Sequence, residues 1–462
     1  MLFNSYEFIF FFLPLVYLCY FLLQRYTRPV YAKVFLVLSS LFFYSWWNPV
    51  YLPLILGSML FNYLVGRQLS RQNRPKYLLI IGVGANLALL GYFKYADFFI
   101  SNANFLFGTK IPLLHLVLPL AISFFTFQQI AYLVDSYRHE TKEYNFLNYA
   151  LFVTFFPQLI AGPIVHHKEM MPQFSDATNR HPRAANIAEG LFIFAIGLFK
   201  KAVIADTFAV WATEGFSHPD ALHFADAWIT SLSYTFQLYF DFSGYTDMAI
   251  GAALLFNIRL PQNFDSPYKA TSIQDFWRRW HITLSRFLRD YIYIPLGGNR
   301  KSEPRTYYNL MTTFLLGGIW HGAGWTFLFW GALHGAALVL HRLWKKAGKT
   351  MPLILAWFVT FMFINISWVF FRAKDFHDAF LVLKGMSGYN GFSGFDTMAL
   401  SYIAAAFVIV LFFQNSNQLV RNQKVRRYTF FITAMLFLFA LLQMFNISVQ
   451  QDKVSEFLYF NF

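Results

Sequence analysis

Thr313-Phe314-Leu315-Leu316-Gly317-Gly318-Ile319-Trp320-His321-Gly322-Ala323-Gly324-Trp325, with Phe327-Leu328-Phe329-Trp330 behind it, sets one imidazole among glycines and tryptophans in an apolar run. Ionisable side chains are costly inside a bilayer, so a histidine at that depth is a functional candidate by default. Glycines on both sides remove side-chain bulk, which lets a substrate or another backbone come close. The competing reading is a packing histidine, hydrogen-bonded to a neighbouring helix, with glycine there for tight helix contact.

Composition extends the membrane reading to the whole chain. Of 462 residues 57% are hydrophobic and 13% charged, against about 25% charged in an average soluble protein. Mean hydropathy is +0.42. The long apolar runs do not alternate polar and apolar residues as barrel strands would, so they predict transmembrane helices. The expected fold class is an all-α polytopic membrane protein forming a single domain, residues 1–462. The net charge of +14 is dispersed between the runs. The positive-inside rule accounts for it, and the lipid bilayer rather than nucleic acid is the expected partner. Cys19 stands alone in the first run, which excludes disulfides and a cysteine-based metal site. It has no polar neighbour to activate it as a nucleophile. Met1-Leu2-Phe3-Asn4-Ser5-Tyr6-Glu7 lacks the basic region of a signal peptide, so the first run is expected to be a retained span.

Basic clusters fall on alternate loops: Arg25 and Arg28; Arg67, Arg71, Arg74 and Lys76; His341, Arg342, Lys345, Lys346 and Lys349; Arg421, Lys424, Arg426 and Arg427. These loops are expected in the cytoplasm, with both termini outside. The run 146–164 contains Pro157 and Ala161-Gly162-Pro163, and reads as a full span or a re-entrant piece. Lys200-Lys201 interrupt the run 190–210, and either snorkel or line a cavity. The run 229–256 carries Asp241, Ser243 and Asp247 through its centre, where carboxylates need partners or a hydrated cavity. Residues 275–305 are the most polar stretch, expected as amphipathic helices at the cytoplasmic surface. About ten to twelve membrane segments result.

Trp277 and His281 have the four-residue spacing of one helical face, with Arg278 and Arg279 beside them. That suits a cytoplasmic pocket for a phosphate-bearing ligand. It equally suits an interfacial helix whose arginines meet lipid headgroups and whose tryptophans anchor it. No nucleophile elbow, Walker loop or His-Glu-x-x-His motif is present. His166 and His167 are adjacent and so point different ways on a helix. His321 and His281 would need carboxylate help to hold a metal, so general base is the simpler role. No metal and no bound cofactor are expected.

Trp277-Arg278-Arg279-Trp280-His281, Leu288-Arg289-Asp290-Tyr291-Ile292-Tyr293-Ile294-Pro295-Leu296-Gly297-Gly298-Asn299-Arg300 and Gly318-Ile319-Trp320-His321-Gly322 stand in this order. Together they resemble the signature of bacterial membrane-bound O-acyltransferases, in the branch of the alginate O-acetylation membrane protein. Leu118-Pro119-Leu120-Ala121-Ile122-Ser123-Phe124, Gly162-Pro163-Ile164, Phe240-Asp241-Phe242-Ser243-Gly244-Tyr245 and the closing Phe457-Leu458-Tyr459-Phe460 are similar to that branch as well. The resemblance implies a ring of tilted helices around a central tunnel, in a multi-pass protein of the bacterial inner membrane. It implies a cytoplasmic donor such as acetyl-CoA and a hydroxyl acceptor beyond the membrane. A periplasmic partner of the SGNH-hydrolase type would pass the acetyl group to a polysaccharide of alginate, cellulose or peptidoglycan type. His321 matches the catalytic histidine and His281 the second family histidine. Trp277, Arg278, Arg279, Trp320, Asp241 and Ser243 are the expected substrate contacts. Direct transfer and a transient acyl-histidine both remain open. The rival functions are D-alanyl transfer to teichoic acid and a transporter or flippase of lipid-linked sugar.

Overall fold

A computed structural model describes residues 1–71, 75–141, 145–422, 427–451 and 457–458. Arg74, Lys424, Arg426, Tyr459 and Phe460 of the sequence reading lie outside the described residues, as does the side chain of Arg427. Every regular element among the described residues is helical, so the expected all-α class holds. Five described helices are long and apolar enough to cross a membrane: α1 (Glu7–Tyr26), α3 (Pro49–Leu69), α4 (Lys76–Phe107), α14 (Leu353–Arg372) and α16 (Thr429–Asn446). Two shorter apolar helices are α2 (Pro29–Ser45) and α15 (Thr397–Phe412).

The chain divides into two compact units. One comprises Met1–Leu198, Tyr245–Pro261 and Val425–Phe460. Its centre is a phenylalanine cluster in which Phe156 packs on Phe12 (ring centroids 5.2 Å) and Phe43 (5.6 Å). Asn62 of α3 and Asn86 of α4 exchange side-chain hydrogen bonds of 3.1 and 2.6 Å while almost wholly buried. Two amides facing each other satisfy groups that hydrocarbon would leave unmatched. Here α5 is Ile122–Tyr137 and α6 Phe146–Thr154. Helix α6 breaks at Phe155 (φ −46, ψ 108), and one further turn, Phe156–Leu159, follows. Nine helical residues rise only about 14 Å, half of the hydrocarbon thickness. The segment read as a span or a re-entrant piece is therefore a broken one, buried throughout 149–167. His166 faces Asp135 (Nδ1 to Oδ2 3.5 Å), whereas His167 packs on Phe152.

The second unit comprises Phe199–Gly244 and Gln262–Lys424. After α7 (Ala184–Phe199), a π-helical turn, Lys200–Ala205, leads into α8 (Asp206–Ser217) and then α9 (Phe224–Leu255). Two short helices, α10 (Ile273–Arg279) and α11 (Ile282–Leu288), precede the pair α12 (Glu303–His321) and α13 (Trp325–Lys346). These two pack backbone on backbone. A Cβ added to Gly318 would stand 3.1 Å from the Gly331 Cα and closer still to the Phe327 carbonyl oxygen. One added to Gly331 would lie 3.3 Å from the Gly318 Cα and collide with the Phe314 carbonyl oxygen. At the other end Arg342 donates two hydrogen bonds to the Glu303 carboxylate, 3.0 and 2.9 Å. Of the glycines in the opening motif, Gly318 thus admits a second helix.

Replacing Gly331 by valine should force α12 and α13 apart and cost about 1–3 kcal/mol, the usual range for overpacking. Thermal unfolding of the purified protein in detergent checks this. An unchanged Tm would show that the close approach is dispensable.

Candidate active site

His321 is the last residue of α12 and is 4% exposed. Three rings enclose its imidazole: Trp320 (centroids 4.9 Å), Trp330 of α13 (5.2 Å) and Phe371 of α14 (5.2 Å). Trp320 is also in ring contact with His281, at 6.2 Å. The two histidines singled out from the sequence therefore share one indole.

The four-residue spacing of Trp277 and His281 does not place them on one helical face. Helix α10 stops at Arg279, Trp280 is extended, and His281 takes a left-handed conformation (φ 42, ψ 54) ahead of α11. The cause is a tertiary contact with Asn263. Its backbone carbonyl accepts from Ile282 N at 3.0 Å. Its side-chain oxygen accepts from Thr283 N (3.2 Å) and Thr283 Oγ1 (2.9 Å). That oxygen also lies 3.2 Å from His281 Nδ1. An amide oxygen only accepts, so Nδ1 carries the hydrogen and the Nε2 lone pair is the basic position. Burial pushes the His281 imidazole down to about 3, so the ring is neutral at any ordinary pH.

A third histidine, His334 on α13, escaped the sequence reading. It is fully buried, and both nitrogens are engaged. Trp277 Nε1 donates to Nδ1 at 3.1 Å, and Nε2 lies 3.1 Å from Ser367 Oγ. The Ser367 hydroxyl donates to the Ile364 carbonyl at 2.8 Å, which makes its oxygen the acceptor for Nε2–H. His334 is thereby fixed as the Nε2–H tautomer with no lone pair to spare, a structural rather than a basic role. Its ring packs on Trp330 at 4.6 Å, and Trp330 packs on His321. The one available signal was the four-residue spacing Trp330–His334 on a helix. Asn263 and Phe371, supplied from distant segments, had none.

The remaining candidates separate. Trp277 is buried, spends its N–H on His334, and reaches the site through Trp330 (5.9 Å). Arg279 is committed internally, to Asp275 (2.9 Å) and the Asp265 carbonyl (3.2 Å), while Arg278 is exposed. Asp241 is held by Lys201 at 2.7 Å, and Lys201 also pairs with Asp206 at 2.8 Å. All three side chains are no more than 8% exposed. Snorkelling or lining a cavity does not describe Lys201, because it bridges two buried carboxylates. The π-helical turn explains this: wider winding brings positions five apart to one side, where a 3.6-residue period would separate them. Lys200 is half-buried, with Nζ 3.5 Å from Ser416 Oγ. Ser243 is buried, and its hydroxyl has no hydrogen-bond partner among the described residues. Phe242, between Asp241 and Ser243, packs its ring on His281 at 4.8 Å.

A cavity of about 600 Å³ lies among Gln274, Arg289, Asn299, His341, Arg342 and Lys345. Arg289 is paired with Asp290 and Arg342 with Glu303, whereas Lys345 forms no ion pair among the described residues.

Among known proteins, the MBOAT profile, describing the membrane-bound O-acyltransferase family, matches residues 134–374. That span holds His281, His321 and His334. A peptidoglycan O-acetyltransferase of Helicobacter pylori is 58% identical over 426 residues, 85% of this chain and 81% of that protein. A probable alginate O-acetylase AlgI of Pseudomonas aeruginosa is 41% identical over 429 residues, 88% of this chain and 81% of that protein. A teichoic acid D-alanyltransferase of Bacillus subtilis is 28% identical over 279 residues, 56% of this chain and 69% of that protein.

Two substitutions test the buried polar groups. His334→Leu strands the Trp277 N–H and should cost about 1–3 kcal/mol. Lys201→Met leaves two carboxylates facing each other and should cost about 3–5 kcal/mol. Detergent unfolding measures both. A Lys201→Met protein as stable as the parent would contradict a charged Lys201 bridge.

Proposed function

The chain belongs to the membrane-bound O-acyltransferase family, and from that premise we propose that it acetylates an extracytoplasmic polysaccharide, taking the acetyl group from a cytoplasmic thioester. Two relatives at 58% and 41% identity, each matched over more than four-fifths of the chain, carry names of polysaccharide O-acetylation. The D-alanyl-transferring relative is similar over only 56% of the chain. That difference favours acetyl over D-alanyl. The 58% relative makes peptidoglycan the first acceptor to test. Transfer of an acyl group, rather than export of a lipid-linked sugar, is the chemistry of the family.

The observation that carries the site is the shared contact of His281 and His321 with Trp320. A lone pair on the His321 ring takes the acceptor hydroxyl proton as the oxygen attacks the thioester carbonyl. The carbon–sulfur bond then breaks, and the proton passes to the departing thiolate. Ester and thiol leave, and the ring ends neutral as it began. The Gly322 N–H is spent on the Gly318 carbonyl, so on this reading the Ala323 or Gly324 backbone amide, or the Trp320 indole, donates to the tetrahedral oxyanion. With His321 4% exposed, the site has to open to admit the reactants.

On this reading acetyl-CoA is the donor, and the cavity beside Arg289, Asn299 and Arg342 receives its phosphates. The protein sits in the bacterial inner membrane, and a periplasmic SGNH-hydrolase-type partner completes delivery to the polymer.

His321→Ala in otherwise intact membranes should lower acetyl transfer by about 100- to 10,000-fold, the span of general-base contributions. Labelled acetyl on the isolated polysaccharide is the readout, with Tm recorded to confirm folding. Acetylation at the normal rate would overturn the assignment of His321, and D-alanine on the product would overturn the choice of acyl group.

A further inference from the structure

A second cavity, of about 570 Å³, opens beside the C-terminal end of α13 and the N-terminal half of α14. Its walls are mostly apolar, with Leu340 from α13 and Ala356, Val359 and Phe363 from α14, and His341 and Thr360 among the polar residues. Leu340 is 65% exposed and Val359 47%, on helices of which α14 is long and apolar enough to span the membrane. Trp344, Lys345 and Lys349 also line the cavity. The turn after α13 fixes that rim. Gly348 adopts a left-handed φ of 66, its N–H bonds to the Lys345 carbonyl at 3.1 Å, and Lys349 N bonds to the Trp344 carbonyl at 3.3 Å. The chain is thereby folded back, and the Lys349 ammonium lies 5.4 Å from the centre of the Trp344 ring. Neither Lys345 nor Lys349 forms an ion pair among the described residues, and no carboxylate lines the cavity.

We propose that this cleft is a binding site for an anionic phospholipid. An acyl chain lies along Leu340, Val359 and Phe363, and the headgroup phosphate sits between Lys345 and Lys349. The apolar walls match the hydrocarbon. A tryptophan at the mouth suits the headgroup level of a bilayer, where Trp is enriched. Two lysines without carboxylate partners select negative over zwitterionic headgroups on the leaflet where basic clusters are expected. A soluble phosphate ester would find the same cations, but gains nothing from an apolar cleft that opens sideways onto exposed Leu340 and Val359.

The test is native mass spectrometry of the delipidated full-length protein. Its probes are phosphatidylglycerol, phosphatidylcholine of the same chains, inorganic phosphate and coenzyme A. Phosphatidylglycerol should bind about tenfold or more tighter than phosphatidylcholine, from two lysines near an anionic headgroup. Lys349→Glu should erase that preference, and Ala356→Trp should weaken both lipids by filling the cleft. Lys349 is exposed on a turn, so its variant keeps the test open should Ala356→Trp fail to fold. Equal affinity for the two lipids, or a preference that survives Lys349→Glu, overturns the proposal. So does displacement of bound phosphatidylglycerol by coenzyme A or inorganic phosphate, which would assign the rim to a soluble ligand.

Discussion

The close approach of α12 and α13 at Gly318 and Gly331 is the constraint on which the site depends. With no side chain at either position the two backbones meet, and Trp330, one residue before Gly331, reaches the His321 ring. Lipid tails are as apolar as leucine, so no hydrophobic force separates helix contact from lipid contact. Small residues that permit dense backbone packing are then the main device for holding helices together. The bidentate Arg342–Glu303 pair fixes the opposite end of the same helix pair. His321 is set between a packing joint and an aromatic enclosure.

Several buried polar groups in this protein are satisfied by one another. Lys201 neutralises Asp206 and Asp241, Asn62 and Asn86 pair reciprocally, and His334 joins Trp277 to Ser367. In an apolar interior an unmatched polar group costs several times what a matched pair contributes, so such networks tend to be complete. The same logic divides the three buried histidines among the described residues of the second unit. His334 is locked by two partners and His281 is oriented by Asn263. Around His321 stand the rings of Trp320, Trp330 and Phe371.

The structure revises how several sequence signals act. The glycines flanking His321 read as room for a substrate or a backbone, and Gly318 admits a backbone. Lys201 read as a residue reaching for the headgroups or lining a cavity, and it is a buried counter-ion. The Trp277–His281 spacing read as one face, yet Asn263 breaks the helix between them. The revisions come from a neighbouring helix at Gly318, from Asn263 eighteen residues before His281, and from a π-helical turn that shifts the period at Lys201.

The amino-acid sequence by itself determined the membrane class, the all-helical architecture, the family and the prominence of His321 and His281. Hydropathy, helical period and motif order are local properties, written in consecutive residues. Tertiary structure alone decided which tautomers His281 and His334 hold, which carboxylates Lys201 neutralises and which rings enclose His321. Those outcomes depend on Asn263, Ser367, Trp330 and Phe371 arriving from separate segments, and only packing brings them together.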